Sequence, residues 1–137
     1  EPECFRGAFG AESKTTRNIV VRADGVRAEL VLKEEIIVSR EVKKLSSSFQ
    51  IEDLLSKGRG ERGSRLVLHP EVVVESLSRE KVLLKRCGEQ LIIRLNSAGF
   101  ISIRQGCVAL EYGELSKTSV VYLVSERESL LWEIKKG

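Results

Sequence analysis

Apolar residues recur at every second position through much of this chain, in runs that are short and separated by glycine. A period of two sends the side chains of a run alternately to two faces, one for a core and one for water, which is the pattern of a half-buried β-strand. Residues 17–32 show it most plainly, as Arg-Asn-Ile-Val-Val-Arg-Ala-Asp-Gly-Val-Arg-Ala-Glu-Leu-Val-Leu. Asp24-Gly25 between two alternating runs predicts a type I′ hairpin with a two-residue loop. That register pairs Ala23 with Val26, Val21 with Ala28 and Ile19 with Leu30, and puts all six on a core face. It also sets Arg22 opposite Arg27, a like-charge pair that Glu29 can relieve diagonally.

The same reasoning extends along the chain. Residues 36–42 read as a further strand. Residues 81–105 read as a three-stranded meander. Its first turn, Cys87-Gly88, pairs Arg86 with Glu89, Leu84 with Leu91 and Val82 with Ile93. Its second turn, Ser97-Ala98-Gly99, pairs Leu95 with Ile101 and Ile93 with Ile103. Strands over 107–112 and 119–124 follow. His69-Pro70 interrupts the apolar runs 66–68 and 72–74, which calls for an edge, a bulge or a break. Two segments read as helices. Ser47 and Gln50 have capping-box spacing, Ile51, Leu54 and Leu55 form an apolar stripe, and Gly58 is a suitable terminator. In the tail, Ser125 and Glu128 repeat the capping-box spacing before Leu130, Leu131 and Ile134. A strand that aligns Leu130, Trp132 and Ile134 is the alternative there, and the helix is preferred.

These segments predict a mainly β fold, a β-rich α+β domain. Its mostly antiparallel sheet would be curled as a barrel or sandwich, with one or two short helices. The chain has 137 residues, enough for a single domain. We expect a flexible N-terminal arm over residues 1–16 and one β-rich domain over 17–137. The chain opens Glu1-Pro2-Glu3, shows no leader pattern and holds no methionine, so we read it as a processed product or a fragment. No apolar run is long enough to span a membrane as a helix. With no leader in view, a cytoplasmic location is expected.

Composition bears on chemistry through what is scarce. The chain has one histidine, His69, and two aspartates, Asp24 and Asp53. Asp24 is accounted for by its turn and Asp53 by the polar face of the expected helix, so acid–base and triad chemistry has few candidates. There is no GxSxG elbow and no GxxxxGK[ST] loop, and Gly58-Arg59-Gly60-Glu61-Arg62-Gly63, although spaced as GxGxxG, follows no expected strand and so does not read as a dinucleotide fingerprint. Cys4, Cys87 and Cys107 are odd in number and widely spaced. We read them as buried free thiols, with a Cys87–Cys107 bridge as the alternative. No CxxC or HxxxH pairing supplies a metal site, and neither a cofactor nor a metal is expected. Few Asn and Gln beside many Lys, Arg and Glu give the chain a thermophile-like composition.

Positive charge is better supplied. The formal net charge is only +3, but arginines cluster. Arg59, Arg62 and Arg65 lie in a glycine-rich loop, and the meander register turns Lys85, Arg94 and Arg104 to one face. Arginine suits bidentate phosphate contacts. Aromatic residues make up only 5%, which supplies a base-stacking platform poorly.

Three functional readings result. The leading one is a non-catalytic binding or adaptor domain that acts as a subunit of a protein assembly, through a protein partner or self-association. The alternative is a nucleic-acid-binding protein that uses Arg59, Arg62, Arg65, Lys85, Arg94 and Arg104 on the phosphate backbone. The third is a small enzyme using His69 or Cys87. The tail Val121-Tyr-Leu-Val-Ser-Glu-Arg-Glu-Ser-Leu-Leu-Trp-Glu-Ile loosely resembles the closing strand and Trp-bearing helix of pleckstrin-homology-like domains. That resemblance implies a barrel closed by a helix. Trp132 lies off the Leu130/Leu131/Ile134 stripe and so departs from the pattern, and no lipid-binding residue is carried over.

Overall fold

A computed structural model describes residues 14–32, 35–55 and 62–137. These residues form eleven strands: β1 (Lys14–Arg22), β2 (Gly25–Leu32), β3 (Glu35–Lys44), β4 (Ser48–Leu55), β5 (Arg62–Val67), β6 (Val73–Leu77), β7 (Lys81–Arg86), β8 (Glu89–Leu95), β9 (Gly99–Glu111), β10 (Glu114–Ser125) and β11 (Ser129–Lys136). Eight of them form one antiparallel sheet in the order β1-β2-β3-β4-β11-β8-β7-β6. The other three form a second sheet in the order β5-β10-β9. Ile51, Val82, Leu84, Ile93, Leu95, Leu130 and Trp132 from the large sheet meet Ile101, Val121 and Leu123 from the small one in a single buried cluster. Neither sheet closes on itself, so the barrel alternative does not hold, and no helix occurs among the described residues.

The expected helix at Ser47–Gln50 is instead the start of β4. Ile51 and Asp53 are buried, with Glu52 between them and Leu54 after them exposed, which is strand alternation. Its expected terminator, Gly58, lies outside the described residues. The tail adopts the strand alternative. In β11, Leu130 and Trp132 face the core, and Ile134 packs against it. The pleckstrin-homology-like closing helix is therefore absent.

The Cys87-Gly88 hairpin has the expected register, with Arg86 opposite Glu89, Leu84 opposite Leu91 and Val82 opposite Ile93. Both turn residues have positive φ, 52° and 79°, as a type I′ turn requires. The second expected pairing does not form. β8 pairs with β11, setting Leu95 opposite Trp132. The chain crosses at 96–98 to the other layer, where Ile101 pairs with Leu123 and Ile103 with Val121. His69-Pro70 marks a break at which the chain passes from the small sheet to the large one.

The first hairpin turns one residue earlier than expected, at Ala23-Asp24. Arg22 then pairs with Gly25, and Val21 with Val26 rather than Ala28. Gly25 sits in the strand rather than in the turn, where a side chain would collide with the Val42 carbonyl. The like-charge pair is avoided, because Val20 lies opposite Arg27. A bulge at 17–20, with Asn18 at φ 51°, brings Asn18 and Arg17 onto the Glu29 carboxylate at 2.9 and 3.1 Å. The expected core face of this hairpin is buried only in part: Ala28 and Leu30 are half-buried, whereas Ile19 is 60% and Val21 76% exposed. Of the expected arm, residues 1–13 lie outside the described residues and 14–16 belong to β1.

The hydrogen bonds from Asn18 and Arg17 hold the Glu29 carboxyl below its ordinary pKa. A lowered folded-state pKa contributes stability above the unfolded value, and that contribution is lost as pH falls through the folded one. Asn18→Ala should shift the Glu29 titration upward toward the ordinary carboxylate value, followed by carboxyl NMR. A titration identical to that of the parent protein would remove Asn18 from this role.

Candidate functional site

The polar centre of the molecule is Asp53, which is fully buried. Register places it on β4 directly opposite Arg40 of β3. Arg40 donates Nε to Oδ1 at 2.7 Å and Nη2 to Oδ2 at 2.9 Å. The Ser64 hydroxyl, from β5 in the other sheet, donates to Oδ2 at 2.7 Å, and Trp132 Nε1 donates at 3.2 Å. The Arg40 guanidinium also lies 5.8 Å from the Trp132 ring centroid. The hydrogen bonds that Arg40 donates to the Asp53 carboxylate raise the Arg40 pKa above its ordinary value, against the opposing effect of partial burial. Four donors on one carboxylate satisfy it in place, an arrangement suited to joining strands.

The residues proposed for acid–base or nucleophilic work stand apart from this centre. His69 Nδ1 accepts the Glu71 backbone N–H at 3.1 Å, and the His69 carbonyl accepts that of Val72, so the imidazole helps form a turn. Cys87 is an exposed free thiol, whereas Cys107 is disulfide-bonded. The two are therefore not joined to each other, and the expectation of buried free thiols fails for both. Cys4 lies outside the described residues. Among the described residues, no group of three or more His, Cys, Asp or Glu could hold a metal ion. No helix there is long and apolar enough to cross a membrane.

The six expected basic contacts divide between layers. Lys85 and Arg94 alternate with the buried Leu84, Ile93 and Leu95, so they lie on the outer face of the large sheet. There Lys85 pairs with Glu75 at 3.5 Å and Arg94 with Glu133 at 4.0 Å. Arg65 and Arg104 alternate with the core residues Leu66 and Ile103, which places them on the outer face of the small sheet. Register sets Arg65 opposite Tyr122, and the Arg104 guanidinium lies 4.1 Å from the Tyr122 ring centroid. Arg62 pairs with Ser125 at the start of β5. Arg59 lies outside the described residues.

Two apolar regions were missed from sequence. The first is a wing of the large sheet. Along one row of paired residues, Leu95, Trp132 and Ile51 are buried, Val42 is half-buried, and Val26 and Val21 are 40% and 76% exposed. The core face continues across β2 and β1 past the cover of the small sheet. The second is an open cleft of about 860 Å³ at one end of the sandwich. Phe49, Leu84, Leu91 and Ile134 of the large sheet line it, with Leu68 and Val72 from the connection between the sheets. Its rim carries Lys44, Lys85, Arg86, Lys135 and Lys136, together with the carboxylate of Glu89. The β7–β8 hairpin was legible from sequence, but the β4–β11 and β11–β8 pairings that complete the floor join distant segments, so no local pattern showed the cleft.

No family model matches the chain, and no curated protein matches it. Among solved structures, it resembles the heparan sulfate lyase HepC from Pedobacter heparinus, with a TM-score of 0.60 at 12% identity. A mutant of that lyase aligns at 0.59 and 13%. Each alignment covers 90% of this chain and 21% of the other, so the chain spans about a fifth of the length of these neighbours. The likeness is one of fold.

Arg40 is half-exposed but Asp53 is fully buried, so removing Arg40 strands a buried charge, whereas a pair exposed on both sides is worth little. Arg40→Met should therefore destabilise the domain by about 3 kcal/mol in urea unfolding. Arg79→Met, which breaks the exposed 2.9 Å pair with Glu126, should cost less than about 1 kcal/mol. Equal losses would show that the Asp53 centre carries no special weight.

Proposed function

We propose that this domain is a non-catalytic binding module that works within a larger protein assembly and docks a partner protein on the wing formed by β1 and β2. The observation that carries this reading is the apolar row that runs from the core to Val26 and Val21 with exposure rising outward. A monomeric domain rarely leaves a continuation of its core face in water, and such patches suit association. The occupant is the apolar surface of a different protein. The neighbour with the same fold offers support, because there the fold accounts for only a fifth of a longer chain. The alternation of buried hydrophobic and paired charged residues supports a scaffold role rather than catalysis. We also propose an oxidising compartment in place of the cytoplasm. The disulfide at Cys107 supports it, because such bonds persist outside reducing compartments.

The test is a proximity crosslink from position 21 in the source cell, with Val21→Glu as the contrast. The expected result is one discrete crosslinked protein that Val21→Glu abolishes while the melting temperature stays unchanged. A crosslink to a second copy of the chain would replace the hetero-partner with self-association. A monomer with no crosslink would end the reading.

A second reading is polyanion binding through Arg65 and Arg104 beside Tyr122 on the small sheet's outer face. Two arginines flanking an aromatic ring suit a sulfated or phosphorylated chain, and the neighbour that shares the fold is a heparan sulfate lyase. Chromatography on immobilised heparan sulfate and on RNA should give retention that falls steeply with salt. Flow-through on both at low salt counts it out.

A further inference from the structure

The cleft at the end of the sandwich is distinct from the wing and is built differently. Its floor is the inner face of the large sheet. Register sets Phe49 opposite Ile134 on one row, and Leu91 opposite Leu84 on the next. Phe49 and Leu91 remain 47% and 38% exposed there, because the small sheet stops short of them. Three cations share that face. Lys44 pairs with Phe49, Lys136 pairs with Leu91, and Arg86 lies two residues beyond Leu84 on the same strand. Arg86 is engaged by Glu71 at 3.0 Å, but Lys44 and Lys136 have no carboxylate partner among the described residues. An apolar floor thus ends in positive charge at its mouth.

We propose that this cleft binds a single-chain amphipathic anion, a long-chain acyl carboxylate or an alkyl group of the same shape with an anionic head. The tail lies over Phe49, Leu84, Leu91 and Ile134, and the head meets Lys44 and Lys136. Two physical arguments select this occupant. The first is charge: with Arg86 paired to Glu71 and Lys85 to Glu75, Lys44, Lys135 and Lys136 still outnumber the one bordering carboxylate, Glu89, so an anionic head is attracted where a neutral or cationic one is not. The second is the backbone. A peptide laid on this floor would carry N–H and C=O groups that need partners. The floor strands β4, β11, β8 and β7 are each paired on both sides, so they offer no free ladder edge. A polymethylene chain needs no hydrogen bonds and takes its binding energy from apolar contact alone. The volume of about 860 Å³ lies within the usual range for small-molecule sites.

The exposed Cys87 thiol borders the same cleft and reports on its occupancy. The experiment titrates the intact chain with the fluorescent fatty acid cis-parinarate, then displaces it with saturated carboxylates of increasing length and with the matching alcohols. The expected result is saturation at one site and an affinity gain of about tenfold for each two added methylenes. The bound acid should also slow alkylation of Cys87. Leu91→Asp should weaken the acid at least tenfold, and Lys44→Glu with Lys136→Glu should weaken the carboxylate while leaving the alcohol unchanged. Both sites are solvent-exposed, and circular dichroism confirms that the variants fold. No saturable binding, equal affinity for acid and alcohol, or tighter binding of an acidic apolar peptide than of any fatty acid would overturn the proposal. None of these outcomes touches the wing, so the two readings stand or fall separately.

Discussion

One buried carboxylate organises the stacking of the two sheets. Asp53 gathers Arg40 from β3, Trp132 from β11 and Ser64 from β5, so a single side chain ties three neighbouring strands of the large sheet to the edge of the small one. Apolar contact between two sheets is non-directional and tolerates sliding. A hydrogen bond of 2.7 Å from Ser64 does not, because its energy falls steeply with distance and angle. Burying the charge costs several kcal/mol, and the bidentate guanidinium and two further donors offset it only in this one arrangement. The node therefore favours one placement of the small sheet over the large one. That placement decides which parts of the large sheet's inner face are left open.

The same residue explains where reading the sequence failed. In β4 the inward row includes Ile51 and Asp53. With an aspartate counted as polar, the inward row is broken, and Ile51, Leu54 and Leu55 take on the spacing of a helical stripe. The partner that makes Asp53 a core residue, Arg40, is thirteen positions away and carries no local signal. Trp132 lies on the strand row of the tail for a related reason, since its indole nitrogen reaches Asp53 from seventy-nine positions away. Where structure depended on adjacent residues it was legible: the Cys87-Gly88 register follows from turn chemistry and alternation alone. Where β8 had to choose between its sequence neighbour β9 and the distant β11, sequence order pointed to the wrong strand.

The scarce acid–base residues have structural work that sequence could only partly show. The Asp24 carbonyl accepts the Lys44 N–H beside the first turn, His69 helps form the turn between sheets, and Asp53 holds the node. Basic residues that seemed to converge were assigned to one face through the β8–β9 pairing that does not form. Once β9 crosses to the second layer, Arg104 leaves the face of Lys85 and Arg94. The error in strand pairing and the error in the expected anion surface are one error.

Strands in a sheet lie about 5 Å apart, so three strands span roughly 10 Å across and eight span roughly 34 Å. The three-stranded sheet leaves part of the inner face of the eight-stranded one open, where Val26, Leu91, Phe49 and Val21 are 40%, 38%, 47% and 76% exposed. The uncovered ground differs in kind between its two ends. Across β2 and β1 it is a flat extension, where exposure climbs from strand to strand and the outer edge of β1 pairs with no strand among the described residues. A flat apolar strip gains most from another broad surface, because only a broad partner removes water from all of it. At the far end of β4, β11, β8 and β7 the connection carrying Leu68 and Val72 rises over the floor and makes it concave. A concave site can surround a narrow ligand on several sides, which a flat one cannot. The inner face left open by the small sheet thus forms two surfaces that differ in shape, and shape separates what each can bind.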